Sequence, residues 1–257
     1  RQRQMCIRDR NKNLQFLCVL ACLMEAVNKH ALLLRAAASN TGNDHRLGAN
    51  EAPPAIISIY MGDQLGEIVD AIVAGVPFDQ LPCAEVGTLD LGVSTLPVLP
   101  KDPTDRNRTS PFAFTGNRFE FRMVASSVSI GDANTVMNSM MAESFNKAYD
   151  ALEGAEDFEK AAIDYIYKTM KENKNIVFNG NGYSDEWVEE AAKRGLPNVK
   201  SIVDAIPAYT DESSIEMFEK LGVMTKRELE ARREIKLEEY AGLILSLIHI
   251  SEPTRRS

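Results

Sequence analysis

Residues 105–123, DRNRTSPFAFTGNRFEFRM, end in a run in which charged and apolar side chains alternate. Three charged residues occupy every second position and three apolar residues lie between them: Arg118, Glu120 and Arg122, then Phe119, Phe121 and Met123. Because successive side chains of a β-strand point to opposite faces, the pattern predicts a strand with an apolar back and an Arg-Glu-Arg front. An ordinary half-solvated strand, whose charges pair with water and with one another, has the same alternation.

A second segment, upstream of this strand, concentrates the same kinds of side chain. Residues 43–54, NDHRLGANEAPP, carry Arg46 and Glu51 in a stretch that is too rich in Gly, Asn and Pro to predict a helix or a strand. A loop and a strand that both bear Arg and Glu indicate a site for an anionic substrate and a cation.

The two segments resemble type III glutamine synthetases. NDHRLGANEAPPAI and DRNRTSPFAFTGNRFEFR are similar to the C-terminal part of this long bacterial branch of the ligase family, and the resemblance runs from about residue 13 to about residue 244. It implies an enzyme that uses ATP with Mg²⁺ or Mn²⁺ to form glutamine from glutamate and ammonia through γ-glutamyl phosphate. It also implies that the parent enzyme is a ring-shaped homo-oligomer.

The implied chemistry suits arginine and carboxylate side chains. Both steps of glutamine synthesis build negative charge, so the site needs divalent cations across the phosphates and guanidinium groups beside the developing charge. Arginine stays protonated and can bind a carboxylate or a phosphate through two N–H groups at once. A carboxylate such as Glu120, flanked by two arginines, stays ionised and can bind Mg²⁺ through oxygen.

The resemblance assigns roles to residues on the strand and just before it. Glu120 corresponds to the metal-binding Glu of the family's E-x-R strand, and Arg122 to the Arg that contacts the substrate carboxylate. Arg118 falls where the family has a nucleotide-contacting Arg. Arg108, in NRT, corresponds to the Arg of the family's NRS block, which touches phosphate and ATP. The family's better-known branches have a second Arg five residues after that one, where this chain has Ala113.

The resemblance also assigns roles in the upstream loop. Arg46 corresponds to the glutamate-binding Arg, and Glu51 to the flap Glu that shields the intermediate and takes a proton from ammonium. These two residues are five apart where the better-known branches have six, so the loop path must differ. The family's His and remaining carboxylate ligands lie upstream of Asn11 in the parent enzyme. We therefore expect that the 257-residue chain alone has no synthetase activity.

Two alternatives stay open. The chain could derive from a γ-glutamyl ligase that acts on another amine, or it could be a non-catalytic truncated paralogue that keeps the fold as an assembly module. Arg and Glu retained at each of the assigned positions favour a ligase, because an assembly module does not need both residue types there. An intact upstream reading frame with the missing ligands would support the ligase, and a native stop near Ile244 would support the module.

Composition limits the possible partners. The chain has 257 residues, of which 44% are hydrophobic and 26% charged, which suffices for one or two globular cores. A net charge of −8 argues against a general nucleic-acid binder, and polar residues interrupt the apolar run at 14–34, so no membrane span is predicted. Four cysteines without a CxxC pair favour a reduced, cytoplasmic setting.

The predicted fold class is α+β, a part of the glutamine synthetase catalytic sheet with packed helices followed by a mostly helical C-terminal half. We assign residues 11–153 to a partial catalytic domain and 154–244 to a helical region. Residues 1–10 and 245–257 resemble translated sequencing-adapter sequence and are predicted to be non-native ends. Helical spacing and capping residues predict helices at about 13–38, 56–74, 134–152, 157–173, 184–195 and 226–243.

Overall fold

The computed structural model describes residues 11–48, 52–82, 88–89, 99–100, 110–116, 118–125 and 128–251. The predicted α+β class is confirmed, because the described chain combines many helices with a small mixed sheet. The α-helices are α1 Leu14–Lys29, α2 Ala31–Ala37, α3 Thr41–Arg46, α4 Gly62–Val73, α5 Gly131–Leu152, α6 Phe158–Glu172, α7 Asp185–Lys193, α8 Ile202–Ala205, α9 Glu212–Lys220 and α10 Lys226–Ser251. The strands are β1 Ile59–Tyr60, β2 Thr88–Leu89, β3 Leu99–Pro100, β4 Phe112–Phe114 and β5 Phe119–Phe121.

The described residues fall into two compact units. The first unit draws on residues 11–28, 58–122 and 144–182, and the second on residues 29–57, 123–143 and 183–251. The chain therefore contributes several separate stretches to each unit. The domain boundary assigned after residue 153 stays a prediction.

The sheet of the first unit positions the FEF strand. Strand β4 pairs in parallel with β1 and antiparallel with β5, and the β4–β5 register places Phe112 opposite Phe121 and Phe114 opposite Phe119. Thr115 N donates to Arg118 O at 2.9 Å across the turn between these strands. The separate pair β2–β3 is antiparallel.

Aromatic rings form the apolar back of this sheet. The ring centroid of Phe112 lies 6.0 Å from that of Phe119 and 5.9 Å from that of Phe121, and Phe114 lies 4.9 Å from Phe119. Phe16 of α1 joins them, 6.4 Å from Phe114. Opposed aromatic side chains on one face stabilise an antiparallel pair, so the predicted apolar face is confirmed.

The first long predicted helix is divided in two. Its predicted apolar residues Leu17, Leu20, Met24, Val27 and Leu34 are all buried, which confirms the helical periodicity. However, α1 ends at Lys29 and α2 begins at Ala31, because the intervening His30 leaves helical geometry with φ −108° and ψ 25°. The buried His30 ring bonds to Glu143 of α5, at 2.6 Å between Nε2 and Oε2.

The second predicted helix begins later than the sequence indicates. Residues 56–61 were predicted to be helical, but Ile59 and Tyr60 form β1 and the helix starts at Gly62. Asn179 Oδ1 accepts from Met61 N at 2.9 Å at the helix N-terminus. A side chain at Gly66 would collide with the same Asn179, whose Nδ2 lies 2.6 Å from an added Cβ.

The predicted starts of α7 and α10 are confirmed. Ser184 Oγ accepts from Trp187 N at 3.3 Å, and Thr225 forms a capping box with Glu228, whose Oε2 accepts from Thr225 N at 2.8 Å. Helix α10 continues past the predicted end at residue 243 to Ser251. The assignment of residues 245–257 to a non-native end stays a prediction.

No single helix in the described parts of the chain has both the length and the apolar composition of a membrane span. The bent pair formed by α1 and α2 meets both criteria together, as core helices of a soluble protein also can.

In the second unit, Glu143 is held by two cationic or potentially cationic groups. Lys29 Nζ lies 2.7 Å from its Oε1, in addition to the His30 contact, and the Glu143 side chain is only 18% exposed. Burial by itself raises the pKa of Glu143, but the hydrogen bonds from His30 and Lys29 and the charges of both outweigh it and lower the pKa to about 2.

Replacing Glu143 with Gln is therefore expected to cost about 3 kcal/mol of unfolding free energy at pH 6. A carboxyl whose pKa is lowered by folding stabilises the native state fully above its unfolded pKa of about 4.3, and this contribution is lost as the pH falls towards the folded value. Urea titrations at pH 6 and pH 3 check this, because the difference from wild type should shrink to about half at pH 3. Glu159→Gln, at an exposed position of α6, serves as the control. An equal cost at both pH values would contradict the assignment.

Candidate functional site

The predicted Arg-Glu-Arg row is present, although the strand is shorter than predicted: β5 covers Phe119–Phe121, and Arg118 and Arg122 flank it. Arg118 Nε lies 3.2 Å from Glu120 Oε1, and Arg122 Nη2 lies 3.2 Å from Glu120 Oε2. The Glu120 side chain is 37% exposed, between an Arg118 side chain that is 73% exposed and an Arg122 side chain that is 24% exposed. The strand thus presents one accessible carboxylate bracketed by two guanidinium groups, which can recognise an anion and supply oxygen to a cation.

The register of the sheet places Ala113 on the same face as Glu120. Ala113 lies directly opposite Glu120 in the β4–β5 pair, and residues opposed in this way share one face of the sheet. Ala113 is also the position at which the resemblance implies a second Arg in other branches. The position at which the chain departs from the pattern that the resemblance implies therefore lies opposite Glu120.

Glu120 fits a divalent cation as one ligand. Carboxylate oxygen is a hard donor of the kind that Mg²⁺ prefers, and Mg²⁺ requires near-octahedral coordination, usually completed by waters and substrate phosphates. Within the described residues there is no group of three or more His, Cys, Asp or Glu side chains that could hold a metal ion. Among the described residues, Glu120 is therefore a candidate for one ligand of such a cation.

Arg46 lies at the end of a short helix rather than in a loop. The sequence predicts irregular structure from residue 43, but α3 extends through Arg46 before the chain turns. Arg46 Nη2 donates to Met123 O at 2.9 Å, and both residues belong to the second unit. Backbone contacts close the segment that follows, since Leu47 bridges to Ala52 and Gly48 N donates to Pro53 O at 3.0 Å.

Two of the predicted site residues are not among those that the structure describes. Glu51 and Arg108 lie outside the described residues. Arg46 belongs to one unit and β5 to the other, so the convergence of the two segments on one cleft remains a prediction. His45 is exposed on α3, and His30 is the buried partner of Glu143 rather than a member of the site.

Sequence reasoning missed a buried arginine near Arg46. Arg35 is 1% exposed, and it donates from Nε to Val199 O at 2.9 Å, from Nη1 to Ser39 Oγ at 2.7 Å and from Nη2 to Lys200 O at 3.0 Å. Burial lowers the pKa of Arg35, and the neighbouring Asp44 carboxylate acts against that shift. The available signal was a charge in the apolar run LLLRAAA, because a charge in a buried stretch requires partners.

Comparison with known proteins places these residues in a family context. Residues 161–248 match the family described as Glutamine synthetase C-terminal domain. The chain is 44% identical over 235 residues to "Glutamine synthetase" of Butyrivibrio fibrisolvens, 43% over 233 residues to "Type-3 glutamine synthetase" of Dictyostelium discoideum and 42% over 232 residues to "Glutamine synthetase" of Bacteroides fragilis (strain YCH46). These alignments cover 91%, 90% and 89% of this chain but only 33%, 31% and 32% of the respective relatives. The chain therefore spans about a third of the length of the curated relatives it matches.

Proposed function

Because this chain is homologous to the glutamine synthetases over about nine-tenths of its length, we propose that it is part of an ATP-dependent ligase that forms glutamine from glutamate and ammonia. The observation that carries this proposal is the Glu120 carboxylate held between Arg118 and Arg122 on one face of an edge strand of the described sheet. The residue types and their order along β5 are those that the family resemblance implies.

In this proposal the strand recognises charge on both substrates. Arg122 binds the glutamate carboxylate, and the more exposed Arg118 contacts the nucleotide. Glu120 binds Mg²⁺ or Mn²⁺, which supplies positive charge across the ATP phosphates during phosphoryl transfer. Arg118 and Arg122 each lie against Glu120, so this carboxylate would hold the cation between two guanidinium groups that can bind substrate anions.

The remaining assigned residues act on the substrates from other segments. We propose that Arg108 contacts phosphate and ATP, that Arg46 binds glutamate, and that Glu51 shields γ-glutamyl phosphate and takes a proton from ammonium. An arginine fork suits glutamate because it binds a carboxylate through two N–H groups. A loop carboxylate suits the ammonium role because it is an anion that can accept a proton.

The setting of the parent enzyme is also a proposal. A cytoplasmic homo-oligomer without nucleic-acid or membrane partners is supported by the family resemblance, the acidic composition and the absence of a CxxC pair.

A chimeric enzyme tests the proposed function. The matching segment of the Butyrivibrio fibrisolvens glutamine synthetase is replaced by residues 11–244 of this chain, and glutamine formation is measured with ATP, glutamate and ammonia. We expect an active chimera and no glutamine formation by the 257-residue chain alone, because Mg²⁺ requires several ligands and the resemblance places the family's other ligands upstream of Asn11. An assembled chimera without glutamate-dependent ATP consumption would favour the assembly module. Preference for another primary amine over ammonia would favour the γ-glutamyl ligase.

A further inference from the structure

We infer that a backbone segment, residues 198–202, positions the chain that carries Arg46 for recognition of glutamate. The inference rests on the proposed function, since it deepens the role given there to Arg46. All of the contacts that support it lie inside the second unit, to which residues 29–57 and 183–251 belong.

Asp44 and Arg35 attach segment 198–202 to the chain just before Arg46. Asp44 Oδ2 accepts from Ile202 N at 2.8 Å, and Asp44 Oδ1 lies 3.4 Å from Arg35 Nη2. Arg35 in turn donates to the carbonyl oxygens of Val199 and Lys200, at 2.9 Å and 3.0 Å. Three peptide groups of the segment therefore form hydrogen bonds with one partly buried ion pair, and hydrogen bonds to charged groups are stronger than those between neutral groups.

The same segment holds the chain again on the far side of the loop. Asn198 forms an antiparallel bridge with Ile56, whose side chain is 1% exposed. Between these two attachments the chain closes on itself through the Leu47–Ala52 bridge and the hydrogen bond from Gly48 N to Pro53 O. These contacts fix residues 47, 48 and 52–56, which lie on both sides of the undescribed residues 49–51.

This attachment positions Arg46. It lies two residues after Asp44 on α3, and its Nη2 donates to Met123 O, in a residue that is 2% exposed. A side chain that is ordered before the ligand binds loses less conformational entropy on binding. Positioning of Arg46 therefore lowers the glutamate concentration that half-saturates the site.

The segment belongs to the part of the chain that matches the Glutamine synthetase C-terminal domain, residues 161–248. That domain would thus contribute to substrate recognition through backbone groups instead of a catalytic side chain. Segment 198–202 should tolerate side-chain changes that leave its peptide groups in place, whereas alanine at Arg35 or Asp44, which removes the groups that contact those peptides, should not be tolerated.

Hydrogen–deuterium exchange on the full chain tests the positioning role, with phenylglyoxal modification of Arg46 as a chemical readout. In Asp44→Ala we expect exchange of residues 47–56 and modification of Arg46 to accelerate at least tenfold, while α4 and α6 in the other unit keep wild-type exchange. Asp44→Asn should restore most of the protection, because its amide oxygen can still accept from Ile202 N. Asp204→Ala, at an exposed position of α8, is the matched control.

A second pair of variants tests the inference if the Asp44→Ala protein fails to fold. Ile202→Pro removes the N–H group that donates to Asp44. Proline is tolerated there because Ile202 is the first residue of its helix, and the ψ of 142° at Ser201 suits a residue before proline. Ile202→Val keeps the N–H group. We expect only Ile202→Pro to accelerate exchange of residues 47–56.

The catalytic consequence is measured in the chimeric enzyme. Asp44→Ala should raise KM for glutamate at least tenfold and leave KM for ATP unchanged. Each of four results would overturn the inference. In the exchange experiment these are unchanged exchange of residues 47–56, equal acceleration in both units, or exchange in Asp44→Asn that is as fast as in Asp44→Ala. In the chimera it is an unaltered KM for glutamate. An inactive wild-type chimera would count against the proposed function alone, because the exchange measurement requires no ligase activity.

Discussion

Phe112→Ala is expected to lower the free energy of unfolding by about 3–5 kcal/mol. Phe112 is 0% exposed, lies on the central strand of the described three-stranded sheet and contacts the rings of Phe119 and Phe121. Truncation removes the apolar contacts of a complete ring and leaves a cavity behind the Arg-Glu-Arg face. Urea unfolding followed by circular dichroism measures the change.

Phe145→Ala provides the matched control for this prediction. Phe145 is 43% exposed and belongs to the same unit, so its truncation should cost less than about 1 kcal/mol. Similar costs for the two alanine variants would mean that the aromatic back of β5 is not the stabilising core described above.

Arg35→Met is expected to destabilise the protein by about 3–5 kcal/mol, although methionine is apolar and of comparable length. The change leaves Asp44, whose side chain is 14% exposed, without its cationic partner, and it deprives the carbonyl oxygens of Val199 and Lys200 of a donor. A buried charge left without its partner is costly, while the lost hydrogen bonds add to that cost. Thermal and urea unfolding measure this loss.

An exposed arginine provides the comparison. Arg118→Met also removes one guanidinium from an ion pair, but the Arg118 side chain is 73% exposed, so the expected cost is at most about 1 kcal/mol. If Arg35→Met lost no more unfolding free energy than Arg118→Met, the pair of Arg35 and Asp44 would not be important for the stability of the second unit.

Local patterns predicted the local features of this fold. The alternation at residues 118–123 needs only the geometry of a single strand, and it correctly placed Glu120 between two arginines. Helical periodicity and the capping box at Thr225 likewise depend on residues a few positions apart.

Features that depend on distant partners could not be predicted in this way. The helix break at His30 involves Glu143, which is 113 residues away, and the contact from Arg35 to Lys200 O spans 165 residues. Residues 56–61 have helical spacing, yet Ile59 and Tyr60 pair with β4, because tertiary strand pairing overrides a short local pattern.

The same distinction between local and long-range features applies to the candidate site. The front of β5 was predictable from the order of its residues, whereas the position of Ala113 opposite Glu120 required the strand register. The assigned roles of Arg46, Glu51 and Arg108 come from family resemblance, and they stay predictions.

The most direct measurement is the rate of ATP- and ammonia-dependent glutamine formation by the chimeric enzyme with Glu120→Gln. Gln keeps the size of the side chain but removes the negative charge that strengthens binding of a divalent cation, so we expect the rate to fall by about 100-fold or more. Glu186→Gln, at an exposed position of α7, should leave the rate unchanged. A Glu120→Gln chimera that retains the wild-type rate at the same Mg²⁺ concentration would contradict the metal-binding role of β5 and the ligase site built on it.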